Sequence, residues 1–407
     1  GNDLWHNIYR VYSGTSAPAF GNEEYNYYQF ADQTYLYDPD LKWETTITRN
    51  IGLDFGFFRN RLSGTVDVYW NTTKDLLVPS IIPNSSGYSR QMTNVGQTSN
   101  KGVEISLDAK IIQTKDFQLS ANFNVAFNKN KVDKLATGET EWKTKASLSN
   151  WYGTYNYKME VGKSMGLIYG FVNDGFYKVD DFDFDATTKK WTLKPGIPDN
   201  SSFSSGNFAF KPGAMKFKKL SDSESNLITE DDMMVIGDTN PKVTGGFGLS
   251  GNWKNLDFTA FFNYMCDFDV LNVNKLYLHS AVRRNYSNLS TDMNLANRFR
   301  YVDDAGVNVS SDPVALAALN ENAKTYSWMS VTQGITMTDL VEDGSFLRLS
   351  TLTVGYTLPK HWLRSLGVKS LRLYFSGSNL FTITGYSGYD PEVNIQKGLT
   401  PGIDNNV

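Results

Sequence analysis

Alternating apolar and polar residues form the clearest structural pattern in this chain. Between Phe117 and Phe127 every odd-numbered residue is apolar, and most of the residues between them are polar. A period of two places the apolar side chains on one face of a β-strand. Val103–Ile111 alternates in the same way, and the short Gln113–Asp116 segment can close a hairpin between the two strands.

Two further pairs of alternating segments predict hairpins with tight turns. Ile51–Phe57 pairs with Leu62–Trp70, and Val243–Trp253 pairs with Leu256–Tyr264. Only a few residues join the two strands in each case. The chain is therefore expected to contain antiparallel neighbours that are connected closely at one end.

The parity of the apolar residues changes once near the end of the chain. Leu347 and Leu349 share one face, whereas Leu352 and Val354 fall on the opposite parity. A β-bulge near Thr351 is the simplest way to keep all of them on one face. A strand that contains Leu371, Leu373 and Phe375 follows.

Two short helices are predicted outside the strands. Asp312 precedes Pro313–Leu319 and can cap a helix there, with proline at its first position. Pro359–Leu366 is a helical connection that Gly367 ends.

Long polar stretches separate the hairpins, so very short and very long connections alternate. They are Thr72–Lys101, Asn128–Gly162, Val172–Pro241 and Lys275–Val341. Compact soluble domains rarely hold so many long loops, whereas outer-membrane barrels have short periplasmic turns and long extracellular loops.

Strand length favours the membrane barrel as well. Eleven alternating residues rise about 36 Å at roughly 3.3 Å each, which spans an apolar band of about 25 Å at a tilt near 45°. Soluble strands are usually about five or six residues long. A soluble all-β protein with an internal apolar core nevertheless stays open on the pattern alone.

Composition and charge exclude several classes of protein. A net charge of −4 and the lack of a basic, aromatic-rich stripe argue against nucleic acid as a partner. The single cysteine, Cys266, rules out an internal disulfide framework. The 57 aromatic residues and 33 glycines suit many strands joined by polar loops.

No residues form a recognisable catalytic or cofactor site. The sequence lacks a nucleophile elbow, a P-loop and a dinucleotide fingerprint, so no catalytic residue, cofactor or enzyme activity is predicted. His6, His279 and His361 lie far apart, and each is expected at the surface.

An aromatic segment supplies the best candidates for contact with a ligand. Trp151, Tyr152, Tyr155 and Tyr157 lie close together, and their rings can stack on sugars or pack on a peptide backbone. Packing against the rim of the barrel or against a partner is the structural alternative. Asn84–Tyr88 and Tyr169–Tyr177 are weaker candidates for the same kind of ligand contact.

Twelve short segments strongly resemble the SusC/RagA family of TonB-dependent outer-membrane transporters. They occur in the family's order along nearly the whole chain. These segments are Asp38–Glu44, Asn50–Phe58, Arg61–Gly64, Lys74–Leu77, Thr93–Gly96, Asn100–Ser106, Ile236–Asp238 with Pro241, Gly344–Leu349, Val354–Pro359, Ser376–Phe381, Gly388–Glu392 and Thr400–Asp404.

The resemblance implies an all-β fold, a transmembrane antiparallel barrel of about 22 strands with a plugged lumen. Residues 1–407 would form the C-terminal portion of that barrel. The plug, the N-terminal segments and the closing strand are expected outside this sequence.

The resemblance also implies import of a large nutrient, an oligosaccharide or a peptide, across the outer membrane of a Gram-negative bacterium. Expected partners are a SusD-like surface lipoprotein that acts as a lid, the TonB complex through the plug, and outer-membrane lipid. Two barrel and lid pairs could form a dimer. The alternatives are a passive porin, a soluble carbohydrate-binding β-protein and an adhesin-like surface barrel.

One loop resembles a calcium loop of the family in a degenerate form. Ser221, Ser223 and Ser225 occupy the alternate positions, and Asn226 stands where glycine would. Asp232 is the main ligand candidate left, and calcium prefers six to eight oxygens, usually with several carboxylates. No metal site is therefore predicted.

Overall fold

The computed structural model describes most of the chain. The described residues are 12–18, 25–31, 35–36, 38–88, 90–135, 139–146, 155–203, 210–279, 288–328, 334–364, 367–393 and 399–405. Among the helices in these ranges, none is both long and apolar enough to cross a membrane.

Strands dominate the structure. In chain order they are β1 (Tyr12–Pro18), β2 (Tyr25–Ala31), β3 (Tyr35–Leu36), β4 (Thr45–Ile47), β5 (Asn50–Phe57), β6 (Leu62–Ile81), β7 (Arg90–Gln113), β8 (Phe117–Lys134), β9 (Glu141–Thr144), β10 (Tyr157–Glu160), β11 (Leu167–Gly170), β12 (Asn173–Phe176), β13 (Phe182–Asp185), β14 (Lys190–Leu193), β15 (Met215–Phe217), β16 (Met234–Asp238), β17 (Val243–Trp253), β18 (Leu256–Cys266), β19 (Asp269–Asn272), β20 (Val341–Asp343), β21 (Phe346–Thr357), β22 (Arg372–Thr384) and β23 (Ile403–Asp404). The α-helices are α1 (Val273–His279), α2 (Pro313–Leu319) and α3 (Lys360–Leu363).

Ten strands form one large sheet. Its order is β22-β21-β18-β17-β8-β7-β6-β4, while β5 also pairs with β6 and β3 pairs with β7. All of the long strands pair in antiparallel register. The three hairpins predicted from alternation are confirmed, since β5 pairs with β6, β7 with β8, and β17 with β18.

The register gives the sheet one apolar and one polar face. A row on the first face is Leu53, Val66, Ile105, Val125, Gly245, Tyr264, Leu347 and Ile383. The neighbouring row on the second face is Asp54, Thr65, Ser106, Asn124, Gly246, Asn263, Arg348 and Thr382. Local alternation in single strands thus adds up to two continuous surfaces across the sheet.

The bulge predicted in β21 is confirmed. The pairing of β21 with β22 shifts between Leu349 and Thr351, and the pairing with β18 shifts opposite that point. Ser350 is the extra residue, and it restores Leu352 to the apolar face. The prediction for Pro313–Leu319 is confirmed too, because the Asp312 carboxylate accepts hydrogen bonds from Val314 N and Ala315 N.

The prediction of a polar loop over Thr72–Lys101 is wrong for most of its length. Strands β6 and β7 continue through it with 20 and 24 residues, and they pair as far as Ile81 and Arg90. Polar residues with enough backbone pairing can extend a hairpin far beyond its apolar part, which composition alone does not reveal.

The other three long stretches fold into a second body, which we call the loop lobe. It lies within 139–241, 268–343 and 386–405 and contains β9 to β16, β19, β20, β23, α1 and α2. Its largest fully buried side chains include Tyr157, Ile168, Phe217, Ile228, Leu271, Leu276, Met293, Met337 and Leu340. These connections therefore carry their own hydrophobic core instead of lying as open loops.

Candidate functional site

The predicted ligand-contact segment is only partly described by the structure. Trp151 and Tyr152 lie outside the described residues. Tyr155 is half-buried and lies two residues before β10. Part of Tyr155 is therefore open to solvent, unlike the two residues that follow it.

Tyr157 packs in the core of the loop lobe and is not exposed to a ligand. Its side chain is fully buried, and its hydroxyl donates a hydrogen bond of 2.5 Å to the carbonyl oxygen of Pro401. Burial raises the pKa of Tyr157, so this hydroxyl stays protonated and remains a donor. A ligand could touch the ring only after the surrounding core had opened.

The residue between these two tyrosines joins distant parts of the lobe. Asn156 is buried, and its side chain accepts from Ala146 N and donates to Thr336 Oγ1, 2.6 Å away. Its backbone also bonds Thr144 O and Tyr169 N. The base of the aromatic segment is consequently fixed, and Tyr155 is presented from a rigid support.

The weaker aromatic candidates are mostly interior. Tyr169, Phe171 and Tyr177 are all buried. Tyr177 donates to the carbonyl oxygen of Pro198 and accepts from Asn200 N at 3.2 Å. Their role in this structure is to pack the loop lobe.

The degenerate calcium loop is organised by a protein cation. The Asp232 carboxylate is fully buried and accepts hydrogen bonds from Leu220 N and Thr229 N at 2.9 Å and from Ser221 N at 2.8 Å. The Lys219 ammonium lies 3.0 Å from the same carboxylate. It also donates to Ser221 Oγ at 2.7 Å and to the carbonyl oxygen of Leu227 at 2.9 Å.

Charge and hydrogen bonding stabilise Asp232 in its ionised form. Burial by itself raises the pKa of this carboxyl, but the three backbone N–H donors and Lys219 outweigh it and hold the pKa well below its usual range. Within the described residues no group of His, Cys, Asp or Glu side chains has the geometry of a metal site. Lys219 contacts three oxygens of the kind that a bound cation would.

Sequence reasoning missed an ion-pair network on the polar face of the large sheet. Arg348 of β21 lies 2.6 Å from Glu392 Oε2, contacts Asp390, and donates to Thr382 Oγ1 at 3.0 Å. Its side chain is only 9% exposed, so its charge depends on these partners. The two motifs that contain these residues were recognised separately, and only the fold shows that they pair.

A second buried carboxylate joins the end of the chain to the lobe. Asp404 is fully buried and accepts hydrogen bonds of 2.7 Å from the Tyr386 hydroxyl and from Asn274 Nδ2. Strand β23 places it beside β19 in parallel register. The Thr400–Asp404 segment therefore stabilises the lobe through Pro401, Ile403 and Asp404 together.

A polar cavity of about 170 Å³ opens beside α1. Lys275, His279, Asp292 and Tyr389 are among the residues that line it. Tyr389 is 69% exposed at its edge. The prediction of a surface histidine is wrong for His279, whose side chain is only 13% exposed, whereas His361 is exposed as predicted. His6 lies outside the described residues.

Comparison with known proteins gives this architecture a family. Residues 5–380 match the family described as TonB dependent receptor-like, beta-barrel. The chain belongs to this family. A TonB-dependent receptor of Formosa agariphila is 32% identical over 91% of the chain, and the TonB-dependent receptor SusC of Bacteroides thetaiotaomicron is 29% identical over 91%.

The same fold is present in a solved transporter. The structure of the RagAB peptide transporter matches 98% of the chain with 26% identity and a TM-score of 0.66. The chain covers 37% of that structure, and 33% and 32% of the two curated receptors. It thus spans about a third of the length of these TonB-dependent receptors.

The resemblance to SusC and RagA proteins, the barrel fold and the location are therefore confirmed. The TonB-dependent receptor barrel lies in the outer membrane of a Gram-negative bacterium. Its short turns face the periplasm, and the long connections that form the loop lobe are extracellular. The apolar face of the large sheet then contacts lipid, and the polar face lines the lumen.

Proposed function

We propose that the chain forms the C-terminal barrel portion of a transporter that imports a large nutrient across the outer membrane in a TonB-dependent way. The single observation that carries the proposal is the ten-stranded sheet, with an apolar outer face and a polar inner face. The folded loop lobe stands at its extracellular end. The process is transport, with no catalytic step.

The proposed cargo is an oligosaccharide or a peptide. The matched RagAB structure is named a peptide transporter, which supports a peptide. Tyr155, with Trp151 and Tyr152, is proposed to contribute to cargo contact, whereas the buried Tyr157 supports this segment from the core. Tyr155 is the described member that is partly exposed, and the buried hydrogen bonds of Asn156 beside it support this role.

The proposed partners follow from the same family. A SusD-like surface lipoprotein would close over the extracellular loop lobe and enclose the cargo. The TonB complex would act through a plug, and two barrel and lid pairs would form a dimer. The loop lobe has a core and buried hydrogen bonds of its own, which supports a role as a firm seat for such a lid.

Purification of the full-length transporter from native outer membranes in mild detergent tests the proposal. Mass spectrometry should detect a surface lipoprotein and a retained oligosaccharide or peptide. A barrel without any lipoprotein partner or ligand would contradict the lidded importer.

An uptake assay separates active import from a passive porin. Uptake of the identified cargo should fall to background when the proton gradient across the inner membrane is collapsed. Uptake that persists without the gradient would favour the porin. Tyr155→Ala should weaken cargo binding by about 10-fold if stacking contributes about 1 kcal/mol or slightly more. Tyr356→Ala, on the apolar face of β21, is the matched control and should leave cargo binding unchanged.

A further inference from the structure

A cleft of about 420 Å³ opens on the apolar face of the large sheet, at the end near the loop lobe. Strands β6, β7 and β8 form its floor. The side chains from this face that line it are Val68, Trp70, Lys101, Val103, Phe127 and Lys129. Lys242, at the start of β17, borders it as well.

The register explains why the cleft exists. Val68 pairs with Val103, which pairs with Phe127, so two small side chains lie beside one large ring. In the next row Trp70 pairs with Lys101, which pairs with Lys129. Small residues form the floor, and longer residues form the walls on the extracellular side.

The depth of the cleft follows from the strand geometry. Phe127 lies ten residues beyond Phe117, where β8 leaves its short periplasmic turn. Ten residues rise about 33 Å along the strand, or about 23 Å along the membrane normal at a tilt near 45°. The apolar band is about 25 Å tall, so the cleft lies at the boundary of the outer leaflet.

The charged residues that line the cleft are all lysines. Lys101 and Lys129 are exposed, and neither forms an ion pair within the part of the chain that the structure describes. Lys242 is paired with Asp267 at 2.6 Å. Two free ammonium groups thus stand directly above an apolar cleft, on the face that contacts lipid.

We propose that the cleft binds an anionic, phosphate-bearing lipid of the outer leaflet. One acyl chain occupies the floor against Val68, Val103 and Phe127. The phosphate lies between the Lys101 and Lys129 ammonium groups, and the Trp70 indole packs at the interface between them. An acyl chain matches the apolar floor, and a phosphate matches the unpaired lysines.

Other occupants fit the cleft less well. A peptide segment would bring its own backbone polar groups against a floor with no free donor or acceptor, since β6, β7 and β8 pair throughout this region. A neutral lipid would leave the two lysines without a counter-charge. A lipid with an acyl chain and a phosphate matches both the apolar floor and the two lysines.

Native mass spectrometry of the full-length transporter in mild detergent tests the proposal, with lipid A carrying one phosphate as the probe. The wild type should bind it in preference to the same lipid without phosphate. The double variant Lys101→Gln, Lys129→Gln should bind about 30-fold more weakly, since each lysine near a charged lipid surface contributes roughly a factor of five.

Two controls make the outcome specific. Lys110 lies on the polar face of β7, so Lys110→Gln should leave lipid binding unchanged. Val103→Phe fills the floor and should displace the lipid while both lysines remain. Heat-modifiable migration in gels checks that each barrel has assembled.

Three results would overturn the proposal. They are equal binding of the dephosphorylated lipid, full competition by inorganic phosphate alone, or a cross-link through position 127 between two copies of the barrel that excludes lipid. Equal binding would show that the phosphate is not recognised, and competition by inorganic phosphate would show that the acyl chain does not contribute. The cross-link would show that the cleft is a contact between two copies of the protein.

Discussion

The hydroxyl of Tyr157 donates a hydrogen bond to the carbonyl oxygen of Pro401, 244 residues further along the chain. The hydrogen bond connects β10, which begins at Tyr157, to the segment just before β23. Both groups are buried in the lobe core, so water cannot replace either partner.

Tyr157→Phe should weaken this connection without creating a large cavity. A buried carbonyl without its partner costs about 1–3 kcal/mol, so hydrogen exchange in β10 and β23 should accelerate while the barrel strands stay protected. Tyr155→Phe is the control and should change neither strand. Unchanged exchange in both variants would mean that the hydrogen bond contributes nothing to local stability.

Asp232→Asn should loosen the loop between Lys219 and Asp232. The substitution removes the negative charge from a buried ion pair, which typically costs about 3–5 kcal/mol. Limited trypsin digestion should then cut the loop faster. Addition of calcium or a chelator should not alter digestion of the wild type, and protection by calcium would show that a metal competes with Lys219.

His279 should make the lobe sensitive to mildly acidic pH. Burial and the nearby Lys275 lower the pKa of His279, whereas the opened state keeps a value near the ordinary one of about 6.5. The opened state therefore takes up a proton first, and stability is full above about pH 6.5 and falls as the pH drops below it.

Hydrogen exchange of α1 at pH 7.5 and 5.5, corrected for intrinsic rates, measures this effect. His279→Gln should abolish the difference between the two pH values, and His361→Gln, at an exposed position, should retain it. A pH effect that survives in His279→Gln would assign it to another group, such as Asp339, whose carboxyl pKa is raised by burial.

Gly245→Ala should reduce assembly of the barrel. A Cβ at this position would meet the carbonyl oxygen of Asn124 and lie 2.6 Å from the Tyr264 hydroxyl oxygen, and the backbone oxygen cannot move aside. The fraction of heat-modifiable barrel should fall. Gly385→Ala has open space around its Cβ and should assemble normally. Equal yields would show that the sheet relaxes around the methyl group.

Arg348→Ala should release the Gly388–Glu392 segment from the lumen wall. Loss of a nearly buried guanidinium with two carboxylate partners should lower local stability by about 2 kcal/mol, since a hydrogen bond to a charged group contributes about 1.5–3 kcal/mol. Arg372→Ala, which breaks a more exposed pair with Asp257, should cost less than about 1 kcal/mol. Proteolysis of the segment compares the two variants, and equal effects would argue against a special role for Arg348.

The large sheet could be predicted from the sequence because its pattern is local. The apolar part of each long strand shows its own alternation, although the polar extensions of β6 and β7 do not. Even the bulge at Ser350 follows from a change of parity between Leu349 and Leu352. Pairing partners are neighbours along the chain for most hairpins, so short turns were sufficient to predict them.

The loop lobe could not be predicted in the same way. Asn156 and Thr336 are 180 residues apart, and the Tyr301 hydroxyl donates to the carbonyl oxygen of Pro212 across 89 residues. Their segments are polar and irregular, and the buried side chains have no fixed spacing. Short motifs marked several of these positions, but only the fold shows which positions meet.

Lys219 has one more consequence for the 219–232 loop. A metal ion is lost by dilution or chelation, because its occupancy follows the concentration of free ion. The ammonium of Lys219 is covalently attached to the loop that it organises, so its local concentration is constant. The shape of this extracellular loop should therefore not vary with the divalent ions in the surroundings of the cell.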